Sequence, residues 1–205
     1  AVCASRWRIP CAAPFTGLLQ RYHARCPQVE LVLHTPARTR CWQLLSTNQV
    51  DLVYTLDQPL LQPALVLAAD VPEPVCFIAP LQHPLAQESV LPLDILPRQE
   101  FLLTERGMSY RDALDQCMAA HGLPSTPIWN WAALRCCADG RAGHGAFLFA
   151  GVHRAQRTGR RRLARLNVPD CTVMMHRQLF YHRDKWVTPQ MNVFIELVRQ
   201  GAQTK

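Results

Sequence analysis

The chain has 205 residues, 49% apolar and 18% charged, with 22 Lys plus Arg against 15 Asp plus Glu. That length suits one large domain or two small lobes, and that balance is globular, which excludes a disordered tail. No apolar run approaches the roughly 18 residues of a membrane span, and the opening Ala1-Val2-Cys3-Ala4-Ser5-Arg6 lacks the apolar stretch of a signal peptide.

Elements follow in chain order. Between Thr16 and Arg25, Leu18, Leu19 and Tyr22 recur at helical spacing, and Pro27 ends the run. Val29 to His34 is rich in β-formers and reads as a strand. Pro36 to Asn48 carries Trp42, Leu44 and Leu45 and predicts a helix that opens at Thr35-Pro36. Val50 to Tyr54 is a second strand. Leu65 to Ala69 and Val75 to Ala79 read as two more, separated by Asp70-Val71-Pro72-Glu73-Pro74. A strand over Glu100 to Thr104 precedes a helix from Tyr110 to His121, whose Ala113, Leu114, Cys117 and Met118 share one side and which Gly122 stops. Val173 to Tyr181 contains a strand. Thr188-Pro189 opens a last helix, with Met191, Phe194, Leu197 and Val198 as its apolar stripe. Short strands alternating with helices predict an α/β fold with a mainly parallel sheet.

The nine cysteines (3, 11, 26, 41, 76, 117, 136, 137 and 171) are odd in number, include no C-x-x-C, and in several cases lie inside apolar runs. A secreted disulfide scaffold is smaller and evenly paired, so a reducing, cytoplasmic setting is expected, with most cysteines as small buried apolar groups.

The formal charge of +7 is concentrated in one place. Between Arg135 and Arg165 stand eight arginines and one acid, Asp139, which is the whole excess; the remainder is balanced. A nucleic-acid face draws charge from several elements, so this segment reads first as a solvated basic loop. The glycines of Gly140-Arg141-Ala142-Gly143-His144-Gly145 match neither a dinucleotide fingerprint nor a P-loop. Cys136, Cys137, His144, His153, Cys171 and His176 show no ligand-pair spacing of a zinc site. No G-x-S-x-G, H-E-x-x-H or kinase signature occurs. The reading therefore includes no catalytic residue, no metal and no cofactor, and the chain is not expected to be an enzyme.

One ordered set of pieces is more specific. Pro27-Gln28-Val29-Glu30-Leu31 leads through a helix to Val50-Asp51-Leu52-Val53-Tyr54. Then come Glu73-Pro74-Val75-Cys76-Phe77-Ile78-Ala79-Pro80, the turn His83-Pro84-Leu85-Ala86, and Leu93-Asp94-Ile95-Leu96. Gly107-Met108-Ser109-Tyr110-Arg111 opens a helix, Gly122-Leu123 closes it, and Arg162-Leu163-Ala164-Arg165-Leu166 precedes the last strand and helix. This order resembles the effector-binding region of LysR-type transcriptional regulators, over about residues 17–132 and 162–200.

The resemblance implies two Rossmann-like α/β lobes of periplasmic-binding-protein type II architecture. Lobe I would comprise 1–72 plus 175–205, and lobe II 73–174. It also implies a small, anionic effector in the cleft between lobes, and a DNA-binding domain that this chain does not include. Self-association as a dimer, and as a tetramer in the full-length protein, is implied too, with DNA bound only through the missing N-terminal domain and no membrane contact. A solute-binding protein of a transport system shares the architecture and is the alternative.

Helix N-termini carry unpaired N–H donors and the positive end of the macrodipole, so they attract anions. Thr35, Arg38 and Thr39 open the first such helix end, Thr55 and Leu56 follow Tyr54, and Arg106, Gly107, Met108, Ser109 and Tyr110 open the third. Asn130, between Trp129 and Trp131, completes the candidate effector set. Two stretches depart from the family pattern: residues 1–16, and the arginine-rich run over about 141–161. Back-translated with free codon choice and read one base later, the second yields Gly-x-Gly-x-Gly followed by Ser-Phe-Leu-Pro, which is the family pattern. A local frameshift is the expectation drawn from it.

Overall fold

The computed structural model describes residues 2–4, 12–34, 38–99, 101–103, 109–124, 129–130, 146–150 and 163–203. It divides into two compact units: unit 1, Ala1–Pro72 with His176–Lys205, and unit 2, Glu73–Met175.

In unit 1, β1 (Val2–Ala4) pairs in parallel with β2 (Leu33–His34) on one side and β3 (Leu52–Asp57) on the other. The strand expected from Val29 shrinks to Leu33–His34, because Val29 and Leu31 pack as partly buried side chains against the core without joining the sheet. Helices α1 (Ala12–Arg25) and α2 (Arg38–Ser46) stand close to where the apolar spacing put them. The last helix, α4 (Pro189–Gln203), begins behind Thr188, whose Oγ1 accepts the Met191 N–H at 3.2 Å and so caps it.

Two cores flank the sheet of unit 1. Leu18 and Tyr22 of α1 meet Phe194, Leu197 and Val198 of α4 over Leu52 and Tyr54, and the rings of Tyr22 and Phe194 cross edge to face at 5.3 Å. On the other face, Cys41 and Leu45 of α2 cover Val53 and Phe180, and Trp42 stands edge-on to Phe180 at 5.4 Å. The Arg199 Nε–H on α4 donates to the Ala68 carbonyl at 2.7 Å.

Two long strands run from one unit into the other: β4 (Leu65–Pro80) and β9 (Val173–His182). The sequence pattern predicted two strands in place of β4, with Asp70–Pro74 between them. Pro72 and Pro74 do not break it, since proline's fixed φ is compatible with extended backbone and it lacks only a donor. Both prolines precede Val75, where the ladder to β7 begins. The sheet is mixed rather than mainly parallel, because β9 is antiparallel to β3, and β4 to both β7 and β8.

In unit 2, β4 pairs with β7 (Ala146–Ala150) and β8 (Leu163–Leu166), and β5 (Phe101–Leu103) lies parallel to β7 and to β6 (Trp129–Asn130). Within the arginine-rich run, Ala146–Ala150 is thus a paired strand; residues 151–162 lie outside the described part. The His83-Pro84-Leu85-Ala86 turn is a short 3-10 segment in which His83 Nδ1 accepts the Leu85 N–H at 3.2 Å. Helix α3 (Ser109–Ala120) closes as its composition predicts: Gly122 takes φ +66°, and the Leu123 N–H returns to the Met118 carbonyl at 2.9 Å.

Candidate functional site

Unit 1 places a polar cluster at the end of a buried strand. All six residues of β3 are buried. The register pairs Val53 with Phe180, Thr55 with Gln178 and Asp57 with His176. Residues two apart on a strand share a face, so these six side chains lie on the face that α2 covers through Cys41 and Leu45. The turn after Ser46 leads straight into β3, so α2 runs back over the strand and its first turn lies toward Thr55.

Thr55 is 3% exposed, Asp57 1% and Gln178 1%. Asp57 accepts the Gln58 N–H at 2.8 Å. His176 Nδ1 meets Asp70 Oδ1 at 2.8 Å, with the ring nitrogen donating to the carboxylate. Among the described residues, neither Oε1 nor Nε2 of Gln178 has a hydrogen-bond partner. A buried polar group left unsatisfied costs about 1–3 kcal/mol, and a side chain bearing two such atoms is stable there only if the fold overrides that cost. A bound molecule offering one acceptor and one donor would remove it.

Unit 2 places a second polar cluster at the start of α3. Ser109 opens the helix and is buried, and the first-turn N–H groups point back along the axis. Arg111 is wholly buried, with its Nε–H on Asp115 Oδ1 at 2.8 Å one turn further on. That ion pair holds the guanidinium inside the helix start and neutralises it.

The residues proposed from the sequence fall as follows. Thr55 lies in the unit 1 cluster, beside Gln178. Arg38 and Thr39 form the first turn of α2, and Thr39 is exposed. Leu56, 7% exposed, alternates onto the opposite face of β3 from Thr55. Ser109 and Tyr110 are the first two residues of α3, and Asn130 ends β6 opposite Leu103. Thr35, Arg106 and Met108 lie outside the described residues. Sequence reasoning missed Gln178. The available signal was an amide inside the run Gln178-Leu179-Phe180, where the strand pattern leaves little room for a solvated side chain.

A cavity of about 610 Å³ also opens in unit 1, among Tyr22, Glu30, Asp51, Lys185, Trp186 and Phe194. None of the proposed residues that the structure describes lines it. Its lysine, Lys185, is held by Asp51 at 2.5 Å and by the Asn48 side-chain oxygen. Burial, the largest single influence, would raise the Asp51 carboxyl, but the hydrogen bonds and positive charges of Lys185 and the terminal amine together hold it below its ordinary value. With Glu30 and Asp184 also on the wall, this cavity suits an anion poorly, so the strand-end cluster is the better effector candidate.

The sequence matches the LysR substrate binding domain over residues 9–203, and the chain belongs to that family. It is 25% identical over 194 residues to the uncharacterized HTH-type transcriptional regulator YwqM of Bacillus subtilis (strain 168), covering 93% of this chain and 65% of that protein. It is 28% identical over 192 residues to the RuBisCO operon transcriptional regulator of Allochromatium vinosum, covering 90% of this chain and 61% of that protein. The chain therefore spans less than two thirds of either relative. Among solved structures, the CcmR regulatory domain of Synechocystis PCC6803, in complex with 2-PG, is similar at a TM-score of 0.76 and 17% identity, over 99% of this chain and 97% of that one. That likeness shows the fold, the type II periplasmic-binding-protein architecture. Both curated relatives are transcriptional regulators, not transport proteins.

Proposed function

We propose that this chain is the effector-sensing part of a transcriptional regulator, and that its effector is a small anion bearing at least one further polar group. The observation that carries the reading is Gln178, a buried amide with both polar atoms unpaired beside Thr55, under the helix whose first turn holds Arg38 and Thr39. On unit 1 the candidate contacts are Thr55, Gln178 and the amides of α2; on unit 2, taken by itself, they are Ser109 and the amides of α3. Thr35, Leu56, Arg106, Met108, Tyr110 and Asn130 complete the proposed set, on the resemblance alone. The CcmR domain's complex with 2-PG supports a small-molecule effector by likeness of fold.

The chain acts by binding rather than turnover, and it needs no cofactor. An effector shifts a population only by its differential affinity for two states of the protein. In the whole regulator that shift would reach DNA through a separate domain, within a dimer or tetramer in the cytoplasm. No helix among the described residues is long and apolar enough to cross a membrane.

Scanning calorimetry with a panel of small carboxylates and phosphorylated acids tests the reading. A true effector at a hundredfold excess over its Kd should stabilise the chain by about 2.7 kcal/mol. Thr55→Val and Ser109→Ala should each weaken that effect. A panel in which no anion stabilises the chain, or one whose hits ignore both substitutions, would overturn it.

A further inference from the structure

Unit 2 holds a second chemical feature, independent of the effector reading. Cys117 stands in the last turns of α3, half-buried, and its Sγ–H donates to the Asp170 carbonyl at 3.6 Å. Cys171, the next residue, is 5% exposed and comes two residues before β9 begins. Cys117 Sγ therefore reaches the backbone immediately before Cys171, across 53 positions of sequence. Cys41 and Cys76 are buried in different elements, Cys41 on α2 and Cys76 on β4, and Cys26 follows α1.

We propose that Cys117 and Cys171 form a reversible thiol–disulfide site, closed by a low-molecular-weight disulfide of the glutathione class and reopened by the corresponding thiol. The roles of the two sulfurs follow from their surroundings. Cys117 is the more accessible, so its thiolate attacks one sulfur of the small disulfide. A mixed disulfide forms on Cys117, and one small thiolate leaves and takes a proton. Burial and the neighbouring sulfur push the Cys171 thiol well above its ordinary value, so it is a poor first nucleophile. Following directly on the Asp170 carbonyl that Cys117 reaches, it has only to lose its proton and attack the Cys117 sulfur of the mixed disulfide, which expels the second small thiolate. Two protein thiols are oxidised by two electrons to one disulfide, and one small disulfide is reduced to two thiols. The bond ties the end of α3 to the start of β9, the strand that leaves unit 2 for unit 1.

Tryptic mapping reads the site cleanly. Cleavage after Arg111 and Arg135, and after Arg165 and Arg177, gives peptides 112–135 and 166–177, each with a single cysteine. The folded chain, equilibrated in oxidised glutathione, should lose both thiols together and yield these peptides cross-linked one to one. Cys171→Ser should stop at a lasting glutathione adduct on Cys117, at least tenfold longer-lived than in the parent chain. Cys117→Ser should leave Cys171 unmodified under native conditions. The proposal is overturned if the parent chain keeps its Cys117 adduct as long as Cys171→Ser does. Cross-linking of either peptide to another cysteine in place of this pair overturns it as well. Far-ultraviolet circular dichroism of both variants confirms that the comparison is between folded chains.

Discussion

In unit 1 the amide of Gln178 is buried with both polar atoms unpaired among the described residues; in unit 2 the guanidinium of Arg111 is as deeply buried, but its Nε–H and its charge are answered by Asp115 one turn on. Each lies near the opening of a helix, α2 and α3. The contrast separates two uses of a buried polar group. Arg111 and Asp115 hold a helix start in place, and their energy lies within the fold. Gln178 leaves its hydrogen-bonding capacity unspent, which is a cost to the fold and an opportunity for a ligand.

The largest effect that would sharpen this contrast comes from unit 2. Asp115→Ala strands a buried cation and should destabilise the chain by about 2 kcal/mol, below the 3–5 of a wholly buried pair because the carboxylate is partly exposed. Urea denaturation measures it. Gln178→Met should do the reverse: removing an unsatisfied amide should leave stability unchanged or raise it by about 1 kcal/mol. A loss of 2 kcal/mol or more in that variant would mean the amide is satisfied within the fold, and the contrast would fail. Thr188→Ala, which removes the cap of α4, should cost about 1 kcal/mol and sets the scale for an ordinary polar contact in unit 1.

The smallest expected effect is a pH dependence. Asp51 titrates lower in the folded chain than unfolded, so its contribution is present above the unfolded carboxylate value and is lost as pH falls through the folded one. Asp51→Asn should therefore be less stable than the parent near pH 7, and the gap should close below about pH 4. A gap that persists in acid would assign it to packing rather than to the charge on Lys185.

Much of the fold was legible because its signals are local. The stripe Met191, Phe194, Leu197, Val198 is buried throughout, the Thr188 cap is made, and Gly122 stops α3 with a positive φ. The length of β4 was not legible, because two prolines suggest a break to any local rule, whereas tertiary pairing decides whether the strand continues. The parallel bias failed for a related reason: the directions of β4 and β9 are set by pairings far apart in sequence. Of the site, Thr55 and Ser109 could be proposed from the ordered motifs. Gln178 was marked in the sequence only as an amide inside an apolar strand run; what singles it out is the lack of a partner across the β3–β9 register, and that is set by tertiary pairing.

The most direct measurement is isothermal titration of the parent chain and of Gln178→Met with the best-stabilising anion from the panel. The account predicts at least a tenfold weaker Kd for the variant, with its unfolding free energy equal to or above that of the parent. Equal affinities for the two chains would contradict it, placing the effector away from the β3–β9 cluster and leaving the buried amide as a feature of the fold alone.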